Sequence, residues 1–313
     1  MKKTAVAAAA GVAAVGTAAG KFTYDVYQYM MCREAGALIT RLLDIGDHGA
    51  EYLAHRDAKE AALLTRPCIH LTAESPRGEK LAGYYYPCGD KPCGKIVFMV
   101  HGFRTSYSRN AGIYYDFFTS RGFDIFCCDN VAHGRSGGRY MGYDYFESED
   151  CLHWIDCLKH CFGEDIKILL HGQSLGGATV AKMSDKVPDN VKFIVDDCGF
   201  TSAEDTLGRK TGPLYPVFAV LTSLNAGYDL RDTNVRENVK NARVPILFVH
   251  GRKDKVVPLS MSSEFYELCP TEKDILIVDT AKHVESIFYA YDEYAKKIDK
   301  FIEKYIEKTV VNS

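Results

Sequence analysis

A serine hydroxyl attacks a carbonyl carbon only when a nearby base takes its proton and a carboxylate orients that base. One serine sits where such chemistry is run: Gly172-Gln173-Ser174-Leu175-Gly176 follows the apolar run from Ile166 to Leu170 and opens a helical stretch. A sharp strand-to-helix turn strains the serine backbone and tolerates only small flanking residues, which Gly172, Gly176, Gly177 and Ala178 provide. Ser174 is the candidate nucleophile. Ten histidines compete to be its base. His101, His171 and His250 each end an apolar run and precede a glycine, as packed strand-end residues do. His283 lies instead in the loop 280–284 after the last such run, from which it can reach over the sheet edge that exposes Ser174. For the acid, Asp254 in the loop from His250 to Pro258 gives the order Ser174, Asp254, His283, each at the C-terminal end of a strand. Its rivals Asp196, Asp197 and Asp279 also suit capping and loop hydrogen bonds. The oxyanion of a tetrahedral intermediate needs two backbone N–H donors; Leu175, next after the nucleophile, and Phe103, in the turn after Val100, are the candidates.

Such groups have to be carried on a rigid sheet. Apolar runs at Cys68 to Thr72, Leu81 to Tyr86, Lys95 to Val100, Phe123 to Cys128, Ile166 to Leu170, Val191 to Val195, Val244 to Val249 and Ile275 to Val278 read as eight strands, the first two a hairpin. Helical stretches at 113–121, 146–162, 175–183, 260–268 and 286–306 separate the later ones. Strands that are apolar throughout, alternating with helices, predict an α/β fold with a mostly parallel sheet covered on both faces. The stretch 201–243 contains no strand and reads as a small helical cap. Its apolar residues Leu214, Val217, Phe218, Val220 and Leu221 suggest a site for an apolar acyl or aryl group. Residues 32–66 read as a lead-in of two short amphipathic helices ended by Pro67.

At the N-terminus, Lys2 and Lys3 precede the uncharged stretch Thr4 to Gly20. Residues 1–31 thus read as a membrane anchor or export signal, with membrane association through residues 4–20; the alternative is a cytoplasmic Ala-rich helix or tail. The hydrophobic fraction, 47%, is that of a folded globular chain, and 38 basic against 41 acidic residues leave no basic excess for nucleic acid. Eleven cysteines are too few for a disulfide scaffold and read mostly as free thiols. Cys157 and Cys161, with His153 and His160 nearby, lack a second ligand segment and read as helix-packing residues. Cys127 and Cys128 read as core filling on opposite strand faces. No metal or cofactor is expected.

Over residues 67–313 these features, together with His101-Gly102 and the segment Asp129 to Gly137, resemble the α/β-hydrolase superfamily. The segment Asp196 to Ser202 and the stretch after it are similar to a bacterial subgroup, related to serine aminopeptidase and monoacylglycerol-lipase-like hydrolases, whose members often carry an N-terminal membrane segment. Gln173, and Asn130-Val131-Ala132 where many relatives have Arg-Gly, depart from that pattern. The resemblance implies the α/β-hydrolase fold. The expected activity is a serine hydrolase that cleaves a small-molecule carboxylic ester through an acyl-serine. A peptidase, thioesterase or acyltransferase would use the same residues, and a non-catalytic binding protein the same fold.

Overall fold

The structure, a computed structural model, describes residues 20–34 and 48–307. Eight strands form one sheet: β1 (Ile69–Glu74), β2 (Lys80–Tyr86), β3 (Lys95–Val100), β4 (Asp124–Asp129), β5 (Lys167–Gln173), β6 (Val191–Asp197), β7 (Ile246–Gly251) and β8 (Lys273–Val278). Their order is β1-β2-β4-β3-β5-β6-β7-β8. β1 and β2 pair antiparallel, as does β2 with β4, and every later pairing is parallel. From β3 the chain moves one way to β4 and then crosses back to β5. This reversal opens a crevice at the C-terminal strand ends, where Ser174 sits.

The inner strands are largely apolar because both faces are covered, whereas β1, at one edge of the sheet, has no buried residue. Along β3, Ile96, Phe98 and Val100 enter one core while Val97 and Met99 enter the other, and all five are fully buried. Cys127 and Cys128 split between the two cores in the same way. On the first face lie helices α4 (Tyr145–Phe162), α5 (Leu175–Met183) and α8 (Leu259–Leu268); Trp154, Ala178 and Phe265 anchor them. The second face is covered by α2 (Ala50–Leu64), α3 (Tyr107–Thr119) and α10 (Tyr291–Ile302), through Tyr52, Tyr114 and Tyr294.

Several boundaries differ from the sequence reading, for physical reasons. β5, β6 and β7 run two or three residues past their apolar cores, through His171-Gly172-Gln173, Asp196-Asp197 and His250-Gly251. Pairing with neighbouring strands keeps these polar residues in the ladder. α3 starts at Tyr107, six residues before the expected helix, because the Ser106 side chain accepts from the Arg109 N–H and caps it there. The expected C-terminal helix over 286–306 is broken at Ala290 (φ −138°, ψ 52°) into α9 (Ser286–Tyr289) and α10. In the lead-in, α2 ends at Leu64, before Pro67; the other expected helix, around Leu38 to Leu43, lies outside the described residues.

Between β6 and β7 the chain makes a helical excursion. A π-helical turn, Glu204–Gly208, continues into Arg209–Thr211, followed by α6 (Tyr215–Ala226) and α7 (Arg236–Lys240). The apolar residues of α6 do not line a site, contrary to expectation. Phe218 is buried in the core, whereas Val217 and Val220 are 45% and 58% exposed. Residues 20–31, grouped in the sequence reading with the anchor, form α1, which buries Val26, Tyr27, Met30 and Met31. Tyr27 meets Phe218 edge-on at 5.8 Å and donates to the Leu221 carbonyl at 3.2 Å. Residues 4–19 of the expected anchor lie outside the described residues, and among the described residues no helix is long and apolar enough to cross a membrane.

Because Tyr27 fills the seam between α1 and α6, Tyr27→Ala should lower stability by about 3 kcal/mol, the scale of an aromatic truncation that leaves a cavity. Thermal unfolding measures it. An unchanged Tm would show that α1 contributes nothing to the folded unit.

Candidate active site

Ser174 joins β5 to α5 with φ 55° and ψ −113°, a backbone conformation that a side-chain-bearing residue adopts only under constraint. Two close approaches impose it. A Cβ on Gly172 would lie 2.0 Å from the Gly176 carbonyl oxygen, and one on Gly176 would lie 2.0 Å from the Val100 carbonyl oxygen. The Ser174 N–H donates to the Asp197 carbonyl at 2.9 Å, which ties the turn to β6.

From Ser174 a chain of hydrogen bonds leads inward. Ser174 Oγ lies 2.9 Å from His283 Nε2, and His283 Nδ1 lies 2.6 Å from Asp254 Oδ2. The other oxygen of Asp254 accepts the Val256 and Val257 N–H groups, both at 2.8 Å. Burial would raise the Asp254 pKa, but the charges and hydrogen bonds of His283 and His250 hold it well below the usual carboxylate range. An anionic Asp254 requires the proton of His283 on Nδ1, which leaves the Nε2 lone pair for the Ser174 hydroxyl. Leu175, the first residue of α5, has a backbone N–H with no intrahelical acceptor. Gly102 and Phe103 lie across from it; a Cβ on Gly102 would come within 3.4 Å of Ser174 Cβ.

The rival residues hold other partners. Asp279 pairs with Arg252, and Asp197 accepts from Tyr114 and Gln173. His101 Nε2 accepts the Asn130 N–H while Nδ1 faces the Gly102 carbonyl, and burial pushes its pKa down to about 4. His171 is buried against the Tyr294 hydroxyl, with its pKa pushed down to about 3. Neither is placed to act as a base. Gln173, a departure in the sequence pattern, bonds Tyr114 and Asp197 through its amide nitrogen and Asn110 through its oxygen. It forms a polar floor beneath the serine. Cys157 Sγ lies 3.7 Å from His153 Nε2, a contact within α4 on the sheet's first face.

Sequence reasoning missed two contributions. His250 Nε2 donates to the Val257 carbonyl at 2.9 Å and lies 3.4 Å from Asp254 Oδ2, so a second imidazole fixes the acid loop. Burial opposes charge on His250, but Asp254 outweighs it and raises its pKa. The lead-in also reaches the site. Tyr52 of α2 donates to the Val284 carbonyl at 3.2 Å, and Glu285 accepts from the Gly49 N–H and contacts His48 Nδ1 at 3.1 Å. These bonds hold the His283 loop where Val284 has φ 56°, unfavourable for a β-branched residue. The signal for Glu285 was its place two residues after His283; for α2 no motif existed, since its role is tertiary contact.

Above Ser174 opens a cavity of about 430 Å³, within the range of small-molecule sites. Tyr29, Phe103, Tyr143 and Phe200 give it aromatic walls, and Thr206, Leu207 and Lys210 of the excursion close one side.

Asp196 generates a stability prediction. It is fully buried, its Oδ1 accepts the Gly199 N–H at 2.7 Å, and its Oδ2 has no partner among the described residues. Burial raises its pKa to about 7, the Gly199 N–H offsetting part of the effect. An unfolded aspartate loses its proton near about 3.9, so over the window between, the folded state binds more protons and stability falls as pH rises. Asparagine does not titrate. The Tm of Asp196→Asn relative to wild type should therefore climb from about pH 5 to about pH 8. A constant difference would exclude the burial-driven shift.

With the geometry in view, comparison places the chain among known proteins. The family described as serine aminopeptidase, S33, matches residues 91–206, and the family described as serine hydrolase (FSH1) matches residues 171–284. The uncharacterized protein YqkD of Bacillus subtilis is 25% identical over 244 residues, covering 75% of this chain and 79% of its own. The uncharacterized membrane protein YNL320W of Saccharomyces cerevisiae is 26% identical over 174 residues, covering 55% of this chain and 58% of its own. Among solved structures, the esterase Pf2001 of Pyrococcus furiosus superposes with a TM-score of 0.62 at 22% identity, over 83% of this chain and 97% of that one, a likeness of fold. The sheet order, the strand-to-helix serine turn and the two serine-hydrolase family matches agree: the chain has the α/β-hydrolase fold and is similar to the serine hydrolases of that superfamily.

Proposed function

We propose that this protein is a serine hydrolase that cleaves a carboxylic ester through an acyl-serine intermediate. The observation that carries the reading is the unbroken chain from Ser174 Oγ to His283 at 2.9 Å and from His283 to Asp254 at 2.6 Å, on the floor of an open cavity. Ser174 Oγ bonds to the ester carbonyl carbon while His283 Nε2 takes the hydroxyl proton, and the carbonyl π electrons move onto oxygen. The backbone N–H groups of Phe103 and Leu175 receive that oxyanion. Its collapse breaks the bond to the alcohol oxygen, which leaves with the proton from His283. Water then attacks the acyl-serine, again giving its proton to His283, and Ser174 Oγ recovers that proton as the acid departs. Asp254 stays ionised and holds the imidazole in the tautomer that each step uses.

Ester cleavage is favoured over aminopeptidase action by the cavity lining. A free α-ammonium calls for a carboxylate partner, and no Asp or Glu among the described residues lines the cavity. The aromatic walls support an apolar or aryl portion in the substrate. Association with a membrane through residues 4–20 belongs to the same proposal. It is supported by the Lys2-Lys3 start of that stretch and by the exposed Phe22, Tyr24, Val220 and Leu224 on α1 and α6.

Ser174→Ala should abolish p-nitrophenyl ester turnover and labelling by a fluorophosphonate with little change in Tm, since a single half-buried hydroxyl oxygen is removed. More than a few per cent of residual turnover would sink the nucleophile assignment. Asp254→Asn should lower kcat by up to about 10⁴ by favouring the wrong His283 tautomer. If Asp197→Asn has that effect and Asp254→Asn does not, the acid lies on β6. Sedimentation with anionic lipid vesicles should carry down the full chain and leave protein lacking residues 1–19 in solution; equal partitioning would remove the membrane from the reading.

A further inference from the structure

The cavity above Ser174 is one-sided in charge. Arg56, Arg104, Arg109 and Lys210 line it, with no carboxylate side chain among the described residues beside them. A chain with 41 acidic and 38 basic residues has no general surplus of positive charge to explain this. Two of the four cations are answered from outside: Arg109 pairs with Glu60 at 3.1 Å and Arg56 with Asp57 at 2.8 Å. Arg104 is not. Its guanidinium donates to the carbonyls of Gln28, Tyr29 and Cys32 and lies over the rings of Tyr29 and Phe103, so it is fixed in place with its charge unmatched by a carboxylate.

Lys210 is freer still. It stands in the helical excursion, on the turn that follows Glu204–Gly208, and makes no hydrogen bond or ion pair with any described residue. The side chain is solvent-exposed along the cavity wall, yet neighbouring atoms crowd its ammonium and lower its pKa, with the charge of Asp254 as the opposing influence. An ammonium at the cavity wall that no described carboxylate answers is suited to an incoming anion.

We propose that the substrate of this site is an ester that also bears a free carboxylate, and that Lys210 binds this carboxylate in the field of Arg104 while the aromatic walls hold the body between. The inference rests on the acyl-serine reading and adds the substrate class to it. Lys210 is a specificity determinant here and takes no part in bond making.

The test compares two matched pairs of esters on the full chain. In one pair the carboxylate is on the acyl side: p-nitrophenyl hydrogen adipate against p-nitrophenyl hexanoate. In the other it is on the leaving group: the acetate of a carboxylated p-nitrophenol against p-nitrophenyl acetate. At least one anionic member should exceed its neutral partner in kcat/KM by about tenfold, which is about 1.4 kcal/mol and within reach of one charge-assisted hydrogen bond. The pair that responds tells which side of the ester carries the charge. Lys210→Met should erase the preference by raising KM for the anionic ester well beyond any change for its neutral partner, and Lys210→Arg should restore it. Added salt should weaken it. Equal turnover within both pairs, or a preference that survives in Lys210→Met, overturns the proposal. So does a matching loss of neutral-ester turnover in Lys210→Met, which would make the residue structural. Should Lys210→Met not fold, inhibition of hexanoate turnover in wild type by adipate and not by hexanamide supports the proposal, and equal inhibition by both overturns it. Absence of Ser174-dependent turnover on every ester would instead count against the acyl-serine reading.

Discussion

The site depends on one contact between backbones. At Gly176 the start of α5 lies so near the end of β3 that no side chain fits between it and the Val100 carbonyl oxygen. That proximity, with the matching one at Gly172, leaves the chain a single way to turn from β5 into α5, and the turn lifts Ser174 into positive φ. Everything else in the site is arranged around a serine that cannot relax. The Leu175 N–H is oriented because the helix must start there, and the loop after β3 is brought alongside because β3 is the strand being touched. Strain of this kind persists only where surrounding bonds over-determine it, as the ladder from β3 through β5 to β6 does.

The polar residues around the serine are as constrained as the apolar core. Asn110, Gln173, Tyr114 and Asp197 form one hydrogen-bonded group beneath the turn, and His171 with Tyr294 a second. Buried polar groups destabilise a core when unpaired and specify one arrangement when paired. Here they fill the C-terminal ends of β5 and β6, the sheet edge that must stay rigid while substrate binds and product leaves.

The same residues set the limit of what the sequence discloses. Apolar runs marked all eight strands, and the order of Ser174, Asp254 and His283 singled out three residues that the fold brings within hydrogen-bond distance. His171, Asp197 and His250 were legible as residues at strand ends, but the bonds they make there were not, since their partners come from distant parts of the chain. α6 shows the opposite problem: its continuous apolar run resembled a pocket lining, but only Phe218 and Thr222 turn fully inward. Apolar composition marks that a surface is to be covered without saying by what. The cationic lining of the cavity was equally hidden, because Arg56, Arg104, Arg109 and Lys210 come from separated segments and carry no common motif.

The hold of α2 on the loop of His283 has a consequence for how this protein is divided. The two family matches together run from residue 91 to residue 284 and contain Ser174, Asp254 and His283. Tyr52, His48 and Gly49, which brace that loop from outside through Val284 and Glu285, stand well upstream. A fragment trimmed to the matched region would keep all the reactive atoms and lose the brace that keeps the imidazole in register. In this chain the matched region and the stretch whose hydrogen bonds hold the His283 loop are of different lengths, and the second begins no later than residue 48.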